Sequence, residues 1–383
     1  MNDMLELIFW VSSILVVYPY IAYPFLLKIS NLVFSKPVKR KEFLPTVTVI
    51  IPAFNEASCI EETIKNKLSQ DYPLDKIDII VVSDESTDGT DEIVEKYIKN
   101  NKVQLIRQVP RRGKAAGLNL AMKQASGEII IFSDANSIFE SDAIRKMVEN
   151  YSDPSVGYIT GNLTYVVEKN GVAERGSDAY MRFENYLRAI ETKFSSVIGV
   201  NGGVDSIRKE LYKDIPQDQI TDFVLPLHVI EQGKRVIYDE RARSFEAPNA
   251  EVSTEFRMRV RVALRALRGL VYMRKLFNPF RYARTSFCLV SHKLIRYFAP
   301  CFMIFALVSN ALLYRHELYA SLLVVQLLFY ALALMGMLKL SGVVFGKLTK
   351  VPSYFVLSNA AFFVAIIKLF KGESMAMWKP REG

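Results

Sequence analysis

Two acids stand where apolar runs stop. Asp84 comes after the run Ile79–Val82, and Asp134 comes after Ile129–Phe132. Such runs read as buried strands. In an open α/β sheet, ligands gather at the carboxyl ends of the strands. Asn136 lies two residues beyond Asp134, so the pair can straddle a tight turn. A carboxylate and a second oxygen donor there suit a hard divalent cation that completes its shell with phosphate oxygens. The competing reading is a turn that Asp and Asn merely stabilise. Arg111-Arg112-Gly113-Lys114 opens a helical pattern. A glycine beside basic residues at a helix N-terminus is an anion site, or else a solvated basic turn. Acids for a cation and bases for phosphate, converging on one sheet edge, make a nucleotide diphosphate the economical ligand.

The elements that must position these residues alternate. Strands are expected near 47–52, 77–83, 103–107 and 128–133, and helices near 57–69, 88–100, 114–125 and 140–150. Alternation of this kind implies an α/β domain with parallel pairing through right-handed crossovers. No G-x-G-x-x-G follows the first strand, which argues against a dinucleotide-binding domain. Pro52-Ala53-Phe54-Asn55-Glu56 ends the first strand, and Asp88 is a good N-cap for the helix behind the second. Further on, Val156–Val167 reads as one or two strands bent at Gly157 and Gly161, and Gly176–Phe194 as a helix with Tyr180, Phe183 and Leu187 in the core. Asn201-Gly202-Gly203-Val204 lets backbone approach a ligand closely. Arg208 has an ordinary ion pair as its simplest role, and Asp222 fits the N-cap of a helix. Ser253–Met273 is amphipathic, with Arg257, Arg261, Arg265 and Arg268 on one stripe, as expected of a helix whose Arg side chains meet lipid head groups.

The 383 residues are 50% hydrophobic with a net charge of +9, and the mean hydropathy is +0.14. No long Lys/Arg run or nucleic-acid motif is present, so the basic excess points to a membrane surface or an anionic substrate rather than nucleic acid. Cys59, Cys288 and Cys301 are too far apart for a disulfide framework or zinc spacing, and the three histidines are equally scattered. A reducing compartment fits. Leu7–Leu27 is uncharged and long enough to cross a bilayer. Asp3 and Glu6 precede it, against a signal peptide. Lys28, Lys36, Lys39, Arg40 and Lys41 follow, which places the next segment in the cytoplasm and the N-terminus outside. Two more apolar runs, Tyr297–Tyr314 and Leu318–Leu338, flank a short hairpin at Arg315-His316-Glu317. Tyr354–Ile367 either crosses the membrane or lies on it. Three crossings after the soluble region would put Lys368, Lys371, Lys379 and Arg381 outside, against the positive-inside rule. The expected organisation is an N-terminal transmembrane helix with a basic segment (1–40), a cytoplasmic catalytic domain (41–250), an amphipathic helix region (251–290) and C-terminal transmembrane helices (291–383).

Taken in order, Val49–Glu56, Ser83–Thr90, Gly113-Lys114…Asn119 and Gly127-Glu128…Asp134-Ala135-Asn136 resemble glycosyltransferase family 2, and the likeness runs from about Thr46 to Leu270. The resemblance implies a GT-A fold and inverting transfer from a nucleotide sugar, a UDP-sugar being the first expectation. By the same resemblance Pro52, Asn55 and Glu56 line the nucleotide pocket, Asp84 contacts base or ribose, and Gly113 and Lys114 lie at the diphosphate. Asp134 and Asn136 match the D-x-D position for Mg²⁺ or Mn²⁺, with Asn in place of the second acid. Gly202 borders sugar and acceptor. Asp222 matches the catalytic base of the E-D motif, with Thr221 before it. Arg261 matches the Arg of Q-x-x-R-W, whose Gln and Trp are missing, and neutralises the leaving diphosphate. The implied setting is a multi-pass protein of the bacterial inner or plasma membrane, with a cytoplasmic catalytic domain. The implied acceptor is a lipid-linked saccharide in surface polysaccharide synthesis. Two alternatives stay open. One is transfer to a polyprenyl phosphate, which needs no base. The other is an inactive nucleotide-binding membrane scaffold, motivated by Asn136, Thr221 and the incomplete Q-x-x-R-W.

Overall fold

The computed structural model describes residues 2–98, 102–165, 174–246, 252–338 and 346–373. Strand β1 (Val47–Ala53), β2 (Ile77–Ser83), β3 (Val103–Arg107) and β4 (Ile129–Phe132) alternate with helices α3 (Ile60–Leu68), α4 (Thr90–Glu95) and α5 (Lys114–Met122). These four strands pair in parallel, in the order β3-β2-β1-β4, as the alternation predicts. The ladder from β1 to β4 stops at Ile50, so Pro52 stands where one edge of the strand is already open. A missing N–H is tolerated at such a place.

The rest of the sheet is mixed. After β5 (Ile138–Phe139) and α6 (Ala143–Glu149) come β6 (Val156–Tyr165), α7 (Glu174–Phe194), β7 (Asp205–Arg208), α8 (Thr221–Glu231) and β8 (Arg235–Glu246). β7 is antiparallel to both β4 and β6, and β6 runs parallel to β8. The bends expected at Gly157 and Gly161 are register shifts in the β6–β8 ladder. At Gly161 a Cβ would collide with the Ala242 carbonyl, so only glycine fits. Val166 and Val167 lie outside the described residues. Side chains alternate between two cores. Ile50, Ile130, Phe132 and Ile207 face α5, α7 and α8, whereas Val49, Ile51, Ile129 and Ile131 face α3 and α6.

Among the described residues, seven further helices lie outside this domain, two before β1 and five after β8. α9 (Val252–Tyr272) presents Ala263, Leu264, Leu267 and Leu270 to the core that contains Phe223 and Val224. Its apolar stripe therefore packs on protein. Several of its arginines also meet protein: Arg259 bonds Ser358 at 2.9 Å and Arg268 bonds Asp218 at 3.1 Å. The N-terminal apolar stretch forms two helices, α1 (Asn2–Val17) and α2 (Ala22–Phe34), bent by 62° between them. α1 lies along α11 (Ile295–Leu312), with Phe9 packed near Leu313 and Tyr319 and Tyr18 Oη 2.9 Å from Ser291 Oγ. α2 lies instead along α7: Tyr23 donates to Glu191 at 2.6 Å and Asn31 to the Ile190 carbonyl at 2.9 Å. Buried Tyr and Asn groups need such partners, and they hold α2 off the α1 axis. α10 (Pro279–Cys288) joins α11 through a π-helical turn at Leu289–Leu294, and α12 (Glu317–Met337) returns after the short turn. α13 (Gly346–Phe370) starts beside Gly336 and then follows α9. Tyr354 lies under Arg259, Phe362 against Tyr297, and the Gly372 carbonyl accepts from Arg268 at 3.3 Å. Among the described residues, three helical segments, Pro279–Leu312, Glu317–Met337 and Leu348–Phe370, are long and apolar enough to cross a membrane, and α1 and α2 pass that test only together, as a bent pair.

Candidate active site

Three loops leave the same edge of the sheet. After β1, Asn55 adopts φ 54°, a left-handed conformation that Asn tolerates well. Its Oδ1 accepts the Thr87 N–H at 2.9 Å, and its own N–H reaches Ser86 Oγ at 3.1 Å. Glu56 N–H donates to Thr90 Oγ1 at 2.9 Å, and Ala57 N–H to Asp88 Oδ2 at 2.9 Å. The loops after β1 and β2 are thus sewn together. Asp88 also accepts the Thr90 N–H at 3.0 Å, but the N-cap of α4 is Gly89 rather than the Asp88 expected from the sequence. Asp84 is committed to the third loop. It accepts the Arg112 and Gly113 N–H groups, each at 2.9 Å, and the Gln108 side chain. Arg111 stacks on the Phe54 ring with Cζ 3.5 Å from its centroid. Gly113, at φ 85°, then turns the chain so that Lys114 is the first residue of α5.

Lys114 is the centre of the site. Its Nζ donates to Asp134 Oδ1 at 2.7 Å and lies 3.7 Å from Asp222 Oδ1. Burial acts to lower its proton affinity, but Asp134 and Asp222 outweigh that and hold it above the ordinary lysine value. Asp222 is the second residue of α8, whose N-cap is Ile220, so its carboxylate does not cap the helix. Thr221 Oγ1 donates to it at 3.0 Å. Gly202 runs beneath Asp222 at φ 74°, and a Cβ there would stand 2.7 Å from Asp222 Oδ2. The residues expected at 113, 114, 134, 202 and 222 therefore come together at one place.

Around Asp134 the donors fit a hard cation. Asn136 Nδ2 is buried without a hydrogen-bond partner among the described residues, so its amide is not fully committed to protein. The end of β8 brings Glu246, which accepts from Ser137 Oγ. Glu246 Oε1 and Asp134 Oδ2 lie 2.8 and 3.4 Å from the position a Cβ of Gly203 would take. Carboxylate and amide oxygens suit Mg²⁺ or Mn²⁺. Among the described residues no three His, Cys, Asp or Glu side chains make a cation site by themselves.

Positive charge comes from α9. Arg265 donates to the Gln219 carbonyl, and its Nε is buried without a hydrogen bond among the described residues. Arg261 makes no hydrogen bond or ion pair among the described residues. Burial first, and Arg265 second, lower its proton affinity. Two crowded, half-buried guanidinium groups favour an anion between them.

Two participants, Asp205 and Glu246, escaped the sequence reading, and a third, Arg265, was expected there only to meet lipid head groups. Asp205 opens β7 only three residues after Gly202, and an acid beginning an apolar strand was the available signal. Glu246 is separated from Asp134 by the whole second half of the sheet, and no local pattern links them. Arg265 lies one helical turn past Arg261. Arg208, by contrast, is structural: it bonds the Val156 and Tyr151 carbonyls at 2.8 and 2.5 Å. Beneath Gly202 the loop 197–203 rests on buried charges. Arg188 Nε holds the Gly199 carbonyl at 2.8 Å, and Glu191 takes the Ile198 N–H at 3.1 Å and His292 Nδ1 at 2.7 Å. Glu184 meets Arg296, and Lys293 at 3.8 Å.

Residues 48–215, which hold β1, β2, β4 and Lys114, match the family model described as glycosyl transferase family 2. This part of the chain is similar to glycosyl transferase family 2. Among curated relatives, a poly-β-1,6-N-acetyl-D-glucosamine synthase of Staphylococcus aureus (strain COL) is 28% identical over 236 residues, 60% of this chain and 56% of the relative. The protein of the same name from Staphylococcus epidermidis is 25% identical over 224 residues, 57% of this chain and 53% of the relative. The chain thus spans little more than half the length of these relatives. Among solved structures, a mannosyltransferase from Pyrobaculum calidifontis in complex with GDP-mannose and Mn²⁺ is 25% identical, with a TM-score of 0.71 over 96% of this chain and 100% of that one. The sheet domain accordingly has the GT-A fold, and the likeness to that mannosyltransferase extends over the helices outside the matched residues.

Proposed function

We propose that the chain is an inverting glycosyltransferase that moves a sugar from a nucleotide-diphosphate sugar to a membrane-delivered acceptor. The observation that carries this reading is Lys114, whose ammonium bridges the cation-type acid Asp134 and the carboxylate Asp222 at one strand edge. The nucleotide lies over the loops after β1 and β2, lined by Pro52, Asn55 and Glu56. Asp84 holds the Gly113 loop in shape for the diphosphate. Asp222 takes the proton of the acceptor hydroxyl, whose oxygen attacks the anomeric carbon from the face opposite the diphosphate. The bond from that carbon to the diphosphate oxygen breaks, and Lys114 and Arg261 meet the charge that develops there. Fixed counter-charges of this kind are typically worth about 100- to 1,000-fold in rate each. Asp134 and Asn136, with Glu246 beside them, would hold a divalent cation that adds further positive charge at the diphosphate.

The helices support membrane delivery. In our reading α1, α11 and α12 cross the bilayer, while α2 and α13 follow α7 and α9 and stay on the catalytic side. Asn2 lies 3.4 Å from His316, which puts the start of α1 and the α11–α12 turn together at the far end. Lys28, Lys36, Lys39, Arg40, Lys368 and Lys371 then all lie on the catalytic side, as the positive-inside rule asks. That side is the cytoplasm. A lipid-linked saccharide is the acceptor that fits. The crowded Arg261 and Arg265 keep a polyprenyl phosphate as a second reading, since an anionic acceptor needs cations and no base. The test is nucleotide release from GDP-mannose, UDP-N-acetylglucosamine and other donors by the detergent-purified protein, with and without a membrane lipid extract. Asp222→Asn is expected to bind donor normally and lose release by about 100-fold or more. Undiminished turnover in that variant favours the polyprenyl phosphate reading.

A further inference from the structure

Asp205 is a carboxylate that the proposed chemistry does not yet use. It is buried to 1% exposure, and the polar groups that face it are the Thr160 and Tyr158 hydroxyls, with no charged side chain hydrogen-bonded to either oxygen among the described residues. Burying a carboxylate with only neutral hydroxyls against it costs several kcal/mol, and such groups concentrate where a site needs them. Its place is fixed by the sheet. Asp205 is the first paired residue of β7, opposite Phe132 at the end of β4 and Thr160 of β6. Gly202 and Gly203, just before it, pass under Asp222 and Asp134. Phe132 faces α5, α7 and α8, so Asp205 faces them too.

The groups around it come from each of those elements: Asp222 from α8, Lys114 from α5, Arg188 from α7, and Thr160 and Tyr158 from β6. Tyr151, in the turn after α6, is also near. Burial first, and Asp222 second, push the Asp205 carboxyl up to about 7, while Thr160, Lys114 and Arg188 pull the other way. Asp205 and Asp222 are therefore two carboxylates close enough to influence one another, with the Lys114 ammonium beside them. A negative neighbour makes a carboxylate a better proton acceptor, and a base works best when its affinity approaches the working pH.

We propose that Asp205 is a positioning residue for the transfer reaction, a buried negative charge behind Asp222 that strengthens Asp222 as the acceptor of the hydroxyl proton. The inference rests on the reading of Asp222 as the base. In the step itself the proton leaves the acceptor oxygen for Asp222, that oxygen bonds the anomeric carbon, and the nucleoside diphosphate departs with the electron pair of the broken bond. Asp205 exchanges no bond; its charge stabilises the proton on Asp222. Because the two carboxylates interact, the apparent affinities belong to the pair.

The experiment compares wild type, Asp205→Asn, Asp205→Glu and Asp222→Asn in nucleotide release with a membrane lipid extract, using whichever of GDP-mannose and UDP-N-acetylglucosamine the wild type turns over. kcat and donor KM are followed from pH 5 to 9. Asp205→Asn is expected to keep donor KM within about twofold, to lose about tenfold or more in kcat, and to move the acidic limb of the kcat profile to lower pH. Asp205→Glu, which keeps the charge, is expected to retain the wild-type limb. An unmoved limb in Asp205→Asn, whatever its kcat, overturns the inference, because a merely structural loss lowers activity without shifting the profile. Full turnover in Asp222→Asn sinks the base reading itself, and is distinguishable because it leaves Asp205 nothing to act through. If Asp205→Asn no longer binds donor, Asp205→Ser is measured on the same readouts.

Discussion

At the level of single residues, the site sets charge against burial. Asp205 makes the stability of the protein depend on pH in a direction opposite to that of most carboxylates. Its folded value, near 7, exceeds the ordinary one of about 3.9. Below about pH 4 both folded and unfolded states carry the proton and the stabilisation is complete. As pH rises through 7 the unfolded chain has already released it, and up to about 4 kcal/mol is lost. Asp205→Asn should therefore melt above wild type at pH 8, with the difference shrinking towards pH 5. Melting curves in one detergent at both values check this, and a wild-type advantage at pH 8 would count against it. The residues legible beforehand were those whose neighbours in sequence declare them. Gly113-Lys114 opens a helix and Asp134-Ala135-Asn136 ends a strand, so local pattern suffices. Asp205 and Glu246 reach the site only through sheet order, which places β7 beside β4 and brings the end of β8 near Ser137. Asp222 was open to a capping role in sequence, and its place as the second residue of α8, behind the N-cap Ile220, decides against that.

Among the elements, β1 to β4 and α3 to α5 follow from the alternation of apolar runs with helical periods. The mixed second half does not, because antiparallel β7 joins β4 from a distance of some seventy residues. The same applies to α9. Its stripe of arginines reads as membrane-facing in sequence, yet in the fold its apolar face fills the core and Arg259, Arg265 and Arg268 bond protein. Periodicity reveals that a helix has two faces but not what each will meet. The tie between α7 and α11 gives an element-level prediction. Glu184 is fully buried, and burial would raise its proton affinity, but Arg296, Lys293 and His292 hold it well below the usual carboxylate range. Arg296→Gln removes the strongest partner and should destabilise by about 3–5 kcal/mol. The double variant Glu184→Gln/Arg296→Gln should recover much of that. Thermal unfolding in detergent reads both, and equal losses in single and double variants would show that the pair is not coupled.

For the molecule as a whole, the arrangement of helices makes a claim about sidedness. If α1, α11 and α12 cross and α13 does not, the turn at Arg315 lies opposite the catalytic domain, whereas Glu373 shares its side. In a background with Cys59, Cys288 and Cys301 replaced, Arg315→Cys should react with an impermeant maleimide on intact cells. Ser86→Cys and Glu373→Cys should react only after permeabilisation. Labelling of Glu373→Cys from outside would restore α13 as a crossing helix. The sequence left that segment open because apolar length alone does not separate a helix that spans from one that lies along α9.

The bridge formed by Lys114 also joins two ligands that never need to touch. Anything that binds Asp134 must compete with an ammonium already 2.7 Å away. Anything that gives the ammonium a new partner releases Asp134. Cation and nucleoside diphosphate are then coupled by mutual release, and such coupling is reciprocal: each tightens the other by the same factor. Mn²⁺ titrations followed by electron paramagnetic resonance should give weak binding to the protein alone and binding about tenfold tighter or more with GDP or UDP present. Lys114→Met should bind Mn²⁺ better than wild type in the absence of nucleotide and gain little when it is added. A variant that keeps the full nucleotide effect would mean that the lysine is a bystander to the exchange.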